Sequence, residues 1–184
     1  MNKLSFIFAT FVCILLTNIT SISAQTKMVG GAEMYPVKNI VENAVNSKDH
    51  TTLVAAVKAG GLVETLQSAG PFTVFAPTNA AFDKLPEGTV ATLVKPENKS
   101  TLVGILTYHV LAGKYDAAAI SAAIKKGKGK ATFQTVAGGS LTATQKGNTI
   151  NIKDVAGNVA MVTISDVYQS NGVIHVVDTV MLPN

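Results

Sequence analysis

A metal site or a catalytic dyad in this chain would have to be built on three histidines, His50, His109 and His175, because the only cysteine is Cys13. Metal-binding histidines need partners a few positions away, so that one backbone segment holds two ligands around an ion. Neither His109 nor His175 has a His, Cys or carboxylate at i+2 or i+4. His109 continues an apolar helical stripe that starts at Leu102, and His175 lies between Ile174 and Val176. Both read as buried imidazoles, each held by a hydrogen bond. His50, among Ser47, Lys48, Asp49 and Thr51, reads as solvated. Nucleophilic chemistry has still less to work with. There is no G-x-S-x-G elbow, Ser68 and Ser140 sit in turn-like contexts, and Asp83, Asp116, Asp166 and Asp178 are scattered. Gly127, Gly129, Gly138 and Gly139 lack the strand-to-helix setting of a phosphate loop. No catalytic residue, metal ligand or cofactor is assigned, and the chain is expected not to be an enzyme.

The strongest charge feature is the run KKGKGK, in which Lys125, Lys126, Lys128 and Lys130 stand without an acid among them. One reading is a solvated loop between a helix and a sheet. The other is a contact for an anionic polymer, such as an acidic polysaccharide or cell-surface phosphate, screened within roughly 8 Å at physiological salt. The whole chain carries 15 lysines against 11 acids and no arginine. Specific readers of phosphates and base edges rely on the guanidinium fork, so nucleic acid is not an expected partner.

The first residues are set apart before any fold is considered. Lys3 is a short positive head, Leu4 to Leu16 is an apolar run, and Ser21-Ile22-Ser23-Ala24 offers small residues before Gln25. That is the layout of a secretory signal peptide, with cleavage expected after Ala24, and the run is too short for a span of about 20 residues. The remaining chain, free of cysteine, must be held by its core, which a single domain of this length can supply. The expected protein is a monomer, secreted or periplasmic, with no integral span once the leader is removed.

Between Asn39 and Gln67 apolar residues recur at helical spacing, broken by Ser47-Lys48-Asp49 and Gly60-Gly61 into three short helices. PFTVFAPTNAAFDKLP, Pro71 to Pro86, then alternates as a strand up to Pro77, where the chain turns into a helix capped by Thr78 or Asn79 and stopped by Pro86. Phe72, Val74 and Phe82 are the expected core residues of that corner. Thr89 to Val94 and Asn98 to Leu106 form two more helices, and Asp116 caps another over Ala117 to Ile124. Beyond Lys130 the period becomes two, and Asn171-Gly172 signals a hairpin before the segment Val173 to Leu182. Helices first and antiparallel strands afterwards give an α+β class.

These segments resemble a known family. FTVFAPTNAAFDKLP is similar to the first signature of the fasciclin domain, LVGILTYHVLAGKY to its central Tyr-His segment and NGVIHVVDTVMLP to its closing signature, so residues 37–183 are identified as a fasciclin domain. The resemblance implies a wedge-shaped β-sandwich of about seven strands with short helices along one side. Carried onto this chain, its structural signature falls on Phe72, Val74, Pro77, Thr78, Asn79, Phe82, Asn171, Gly172, His175 and Asp178. It also implies an extracytoplasmic role in adhesion or contact with a cell-surface or matrix protein, and it links Tyr108 and His109 with partner contact. An alternative is a carrier or sensor that holds a small apolar ligand between sheet and helices. A large pocket would favour the carrier, and its absence the adhesive module.

Overall fold

The structure, a computed structural model, describes residues 26–183, so the expected leader over residues 1–24 lies outside the described residues. The first elements precede the expected domain start at Val37. They are a hairpin of β1 (Lys27–Val29) and β2 (Ala32–Met34), which delivers Val29 and Met34 to the core.

Helices α1 (Ile40–Ala44), α2 (Thr51–Gly60) and α3 (Val63–Gln67) follow, with a 3-10 turn, Lys48–His50, ahead of α2. Asn39 caps α1 through the backbone N–H groups of Val41 and Glu42, while Glu42 reaches back to the Asn39 N–H. Strand β3 (Phe72–Pro77) ends at Pro77 as expected, and Thr78 caps the four-residue α4 (Asn79–Phe82) by accepting from the Ala81 N–H. The expected helices after it appear as α5 (Thr89–Leu93), α6 (Lys99–Tyr108) and α7 (Ala117–Lys126), the last capped by Asp116. Strand β4 (Val110–Ala112) lies between α6 and α7. The β half comprises β5 (Lys130–Gln134), β6 (Ser140–Lys146), β7 (Thr149–Lys153), β8 (Val159–Gln169) and β9 (Gly172–Val177).

Seven strands form one sheet in the order β4-β3-β9-β8-β7-β6-β5, and a bridge between Leu111 and Thr135 brings its two edges together. The α+β class and the strand number agree with expectation. Two details do not. The β3–β9 pair is parallel, because the chain reaches β9 only after crossing the whole molecule. The last strand stops at Val177 rather than running to Leu182, where Asp178 turns its carboxylate back to the Met161 N–H.

The sheet is filled and covered unequally. Its interior holds Phe75, Tyr108, Leu111, Leu141, Ile152 and Met181, closed by Ile120 and Ile124 of α7. Outside β3 and β9, helices α1, α2, α3 and α6 pack Ile40, Val57, Leu66 and Leu106 against Val74, Ala76, Ile174 and Val176. Strand β3 is therefore buried on both faces, with Thr73 and Phe75 as inaccessible as Val74. Among the described residues no helix covers the outside of β5, β6 and β7, where inward and outward residues alternate.

Candidate functional site

Three places can be weighed as sites: the histidines, a cavity under the helices, and the lysine loop. His109 ends α6 and is 3% exposed. Its Nδ1 lies 2.8 Å from the Ile105 carbonyl, so it carries the proton, and its Nε2 accepts from the Met181 N–H at 3.0 Å. The ring thus makes two hydrogen bonds rather than one, and full burial lowers its pKa to about 4. Tyr108 is 0% exposed, donates to the Ser140 carbonyl at 2.8 Å and accepts from the Val155 N–H at 3.3 Å. Burial raises its pKa. Neither side chain offers a surface to a partner. The Tyr-His pair instead joins α6 to the sheet interior and to the C-terminal segment.

His175 is also fully satisfied. Its Nε2 donates to the Tyr115 carbonyl at 2.8 Å, its Nδ1 accepts from the Asp166 N–H, and its ring stacks on Phe75 at 5.7 Å. Burial lowers its pKa. Asp166 sits at φ 55°, at an irregularity in β8, and its carboxylate receives the Ala117 N–H at the start of α7. His175 therefore helps hold the helix that closes the interior.

His50 contradicts its solvated reading, since it is only 3% exposed. Polar sequence neighbours do not report where a turn packs. The 3-10 turn just ahead of α2 sets the ring among the walls of an internal cavity, where Ser47 Oγ meets Nδ1 at 2.8 Å and Nε2 meets no partner in hydrogen-bond geometry. Burial lowers its pKa, with the nearby Ala76 carbonyl and Asp49 opposing the shift. His50 lines a cavity of about 80 Å³ enclosed by α1, α2, α3, β3 and β9, with Ile40, Val57, Leu66, Val74 and Ile174 among its walls. Ligand pockets for drug-sized molecules run to roughly 300–1,000 Å³, so this void is small. Among the described residues no three His, Cys or acidic side chains gather in reach of one ion.

The signature residues build joints. Asn79 accepts from the Thr52 N–H at 3.0 Å and donates to the Lys48 carbonyl at 2.9 Å, which ties the β3–α4 corner to α2. Phe82 is buried with Ile105 and Val180, and Val74 lies in the helix-facing core, whereas Phe72 is only half-buried. Asn171 receives the Ile40 N–H at 3.0 Å and donates to the carbonyls of Leu66 and Ser68 at 2.7 and 2.9 Å. The hairpin stands where Asn171-Gly172 placed it, but neither residue has a positive φ. Gly172 is needed for another reason: a Cβ there would lie 2.2 Å from the Phe72 carbonyl oxygen of the parallel neighbour. Asp178 accepts from Met161 and Thr179 and lies 3.3 Å from Lys84, the one ion pair among the described residues. Burial alone would raise its pKa, yet these donors together lower it.

Lys125, Lys126, Lys128 and Lys130 are all exposed, at the end of α7, the turn after it and the start of β5. Lys125 and Lys126 lie in the last turn of α7, where cations favour the negative end of the helix. Lys128 takes a left-handed backbone, φ 55°, that carries the chain into the sheet. The structure brings these four together and keeps them apart from Tyr108 and His109.

Comparison with known proteins agrees with this architecture. The fasciclin domain family pattern matches residues 48–183. Protein sll1483 of Synechocystis sp. is 46% identical over 159 residues, covering 86% of this chain and 81% of that protein. Immunogenic protein MPB70 of Mycobacterium bovis is 40% identical, over 76% of this chain and 66% of its own length. Cell surface glycolipoprotein MPB83 of the same organism is 34% identical, over 87% of this chain and 62% of its own length. A FAS1 domain pair from the insect cell adhesion molecule fasciclin I superposes with a TM-score of 0.70 at 17% identity, covering 79% of this chain and 51% of that one. With its signature residues at the joints of the same fold, the chain belongs to the fasciclin domain family.

Proposed function

We propose that this domain works outside the cytoplasm as a non-enzymatic binding module that contacts cell-surface or matrix components through its lysine loop. The observation that carries the reading is the group of four exposed cations at the α7–β5 junction, with no carboxylate paired to any of them among the described residues. Mutual repulsion makes such a group a poor stabilising device, and its field favours an anionic partner. One of the relatives supports a surface setting by its own description, a cell surface glycolipoprotein. Capture of native cell-surface extract by the purified mature domain, at low and raised salt, tests the reading. Changing Lys125, Lys126, Lys128 and Lys130 to Gln should weaken capture and remove its salt dependence, whereas unchanged capture would refute the role of the loop. Export is tested separately: mass spectrometry of the protein outside the cytoplasm should find a start at or near Gln25, and an intact Met1 there would contradict it.

A second reading, the carrier, is favoured by one observation, the apolar cavity lined in part by His50. At about 80 Å³ it is smaller than the apolar cavities of roughly 150 Å³ that take up benzene, so it suits a chain end rather than a ring. Saturable binding of butanone to the purified domain, lost in Val57→Phe, would support the carrier. No binding at millimolar guest would remove it.

A further inference from the structure

We infer that the uncovered outer face of β5–β7, with the start of β8 (Val159 to Met161) as its margin and the lysine loop at one end, is a docking surface for an extended anionic polysaccharide. The inference rests on the binding-module reading and adds to it a footprint and a partner class. The outward positions follow from register and burial. Thr132 of β5 stands opposite Thr142 of β6, and Thr144 of β6 opposite Asn151 of β7. The residues between them, Ala143 and Ile152, are 0% exposed and point into the core. The face is thus a row of hydroxyl and amide side chains, the groups that exchange hydrogen bonds with sugar hydroxyls.

From β5 to β7 its charge has a single sign. Lys130 faces Thr144 across the ladder, so Lys146, two residues further along β6, lies beside the lysine loop, and exposed Lys153 marks the far end of β7. Between Gly127 and Ser165 the only acid is Asp154. It is 5% exposed, and its carboxylate is occupied by Asn158 and the Leu182 N–H. Asp178, beside Met161 at the β8 margin, is paired with Lys84, so charge complementarity specifies an anion from β5 to β7. Four strands spaced by about 4.8 Å make a strip about 15 Å wide on the outside of a sheet whose edges meet, convex rather than concave, which fits a polymer lying across it better than a small ligand. Lysine, a hydrated point charge, suits the solvated carboxylates or sulfates of such a chain.

Two other anionic partners fit less well. Membrane-surface binders place large apolar or aromatic side chains beside their cations, and here the exposed apolar side chains are Val159 and Met161 on β8 and Val136 and Val155 in the flanking turns, none of them aromatic. Nucleic acid would call for arginine or for aromatic rings on which bases stack, and this face has neither.

Titration of the mature domain with alginate, a polyuronate, tests the assignment at low and raised salt, with neutral dextran, phosphatidylglycerol vesicles and duplex DNA as comparisons. Alginate should bind, more weakly as salt rises, and dextran should not. The double change Thr142→Val and Thr144→Val removes no charge and should weaken alginate binding several-fold. Lys146→Gln with Lys153→Gln, two exposed changes that leave the ladder alone, should do the same if the threonine variant folds poorly. Full affinity in both variants would overturn the face while leaving the lysine loop as the contact. Binding to vesicles or DNA with none to alginate would overturn the polysaccharide assignment. Capture of surface extract without binding to any of these polymers would overturn this inference alone, whereas failure to capture extract would sink the binding-module reading beneath it.

Discussion

The two halves of the sheet use the same strand geometry for opposite ends. Strands β3 and β9 lie between the interior and the helices, pair in parallel, and bury every position from Thr73 to Pro77 and from Gly172 to Val177. Parallel neighbours are expected to be buried on both faces, and these are. Strands β5, β6 and β7 bury one face and leave the other to water. The covered half keeps its polar groups in closed pairs, such as Thr73 with Gly113 and Tyr115, or Asn171 with three backbone partners. The open half has hydroxyls, amides and lysines free to meet something else. Stability is concentrated on one side and opportunity for contact on the other.

The sharpest break of that contrast is a cavity in the covered half. Phe82→Ala should destabilise the domain by about 3–5 kcal/mol, because it removes a buried ring from the cluster with Ile105 and Val180. A denaturant midpoint that barely moves would place Phe82 outside the core. Acid should act next. Folded His109 protonates only near pH 4, whereas an unfolded histidine protonates near 6.5, so the unfolded chain binds more protons between those values. Stability is then fully present above about pH 6.5 and falls as pH drops toward 4, by about 3 kcal/mol from this group at most. His175 and His50, both lowered by burial, act in the same direction. Urea midpoints measured across that range check the slope, and a flat profile would show the imidazoles are not buried neutral.

His109→Ala should cost about 1–3 kcal/mol at neutral pH, through the orphaned Met181 N–H, and should flatten part of that acid slope. The open half should respond least. Thr142→Val with Thr144→Val, or the four-lysine change to Gln, should shift stability by less than about 1 kcal/mol, since exposed charges and strand-face hydroxyls contribute little. A large loss of stability in either variant would mean that the outer face is built into the fold rather than free of it.

The same contrast governs what could be read in advance. Strand β7 was legible because one solvated face makes Thr149-Ile150-Asn151-Ile152-Lys153 alternate, and the corner after Pro77 was legible because proline and capping residues act locally. Two strands of the N-terminal hairpin and β4, each of three residues, were too short to show a period. The burial of His50 was hidden because its polar neighbours describe the chain and not the distant residues that share its cavity wall. Asn171-Gly172 marked the right place for the wrong reason: the requirement on Gly172 comes from Phe72, 100 positions away, whose carbonyl leaves no room for a Cβ. The lysine loop was visible as a charge run, but its continuation into Lys146 and Lys153 needed the register of β5, β6 and β7.

The account is tested most directly by mapping amide shifts on the isotope-labelled protein as alginate is added. The expected result is a contiguous set of changes at Thr132, Thr144, Asn151 and the Lys125–Lys130 loop, with the amides of Val57, Leu66 and His109 unmoved. Changes centred on the cavity walls around His50, or spread evenly over both halves of the sheet, would contradict it.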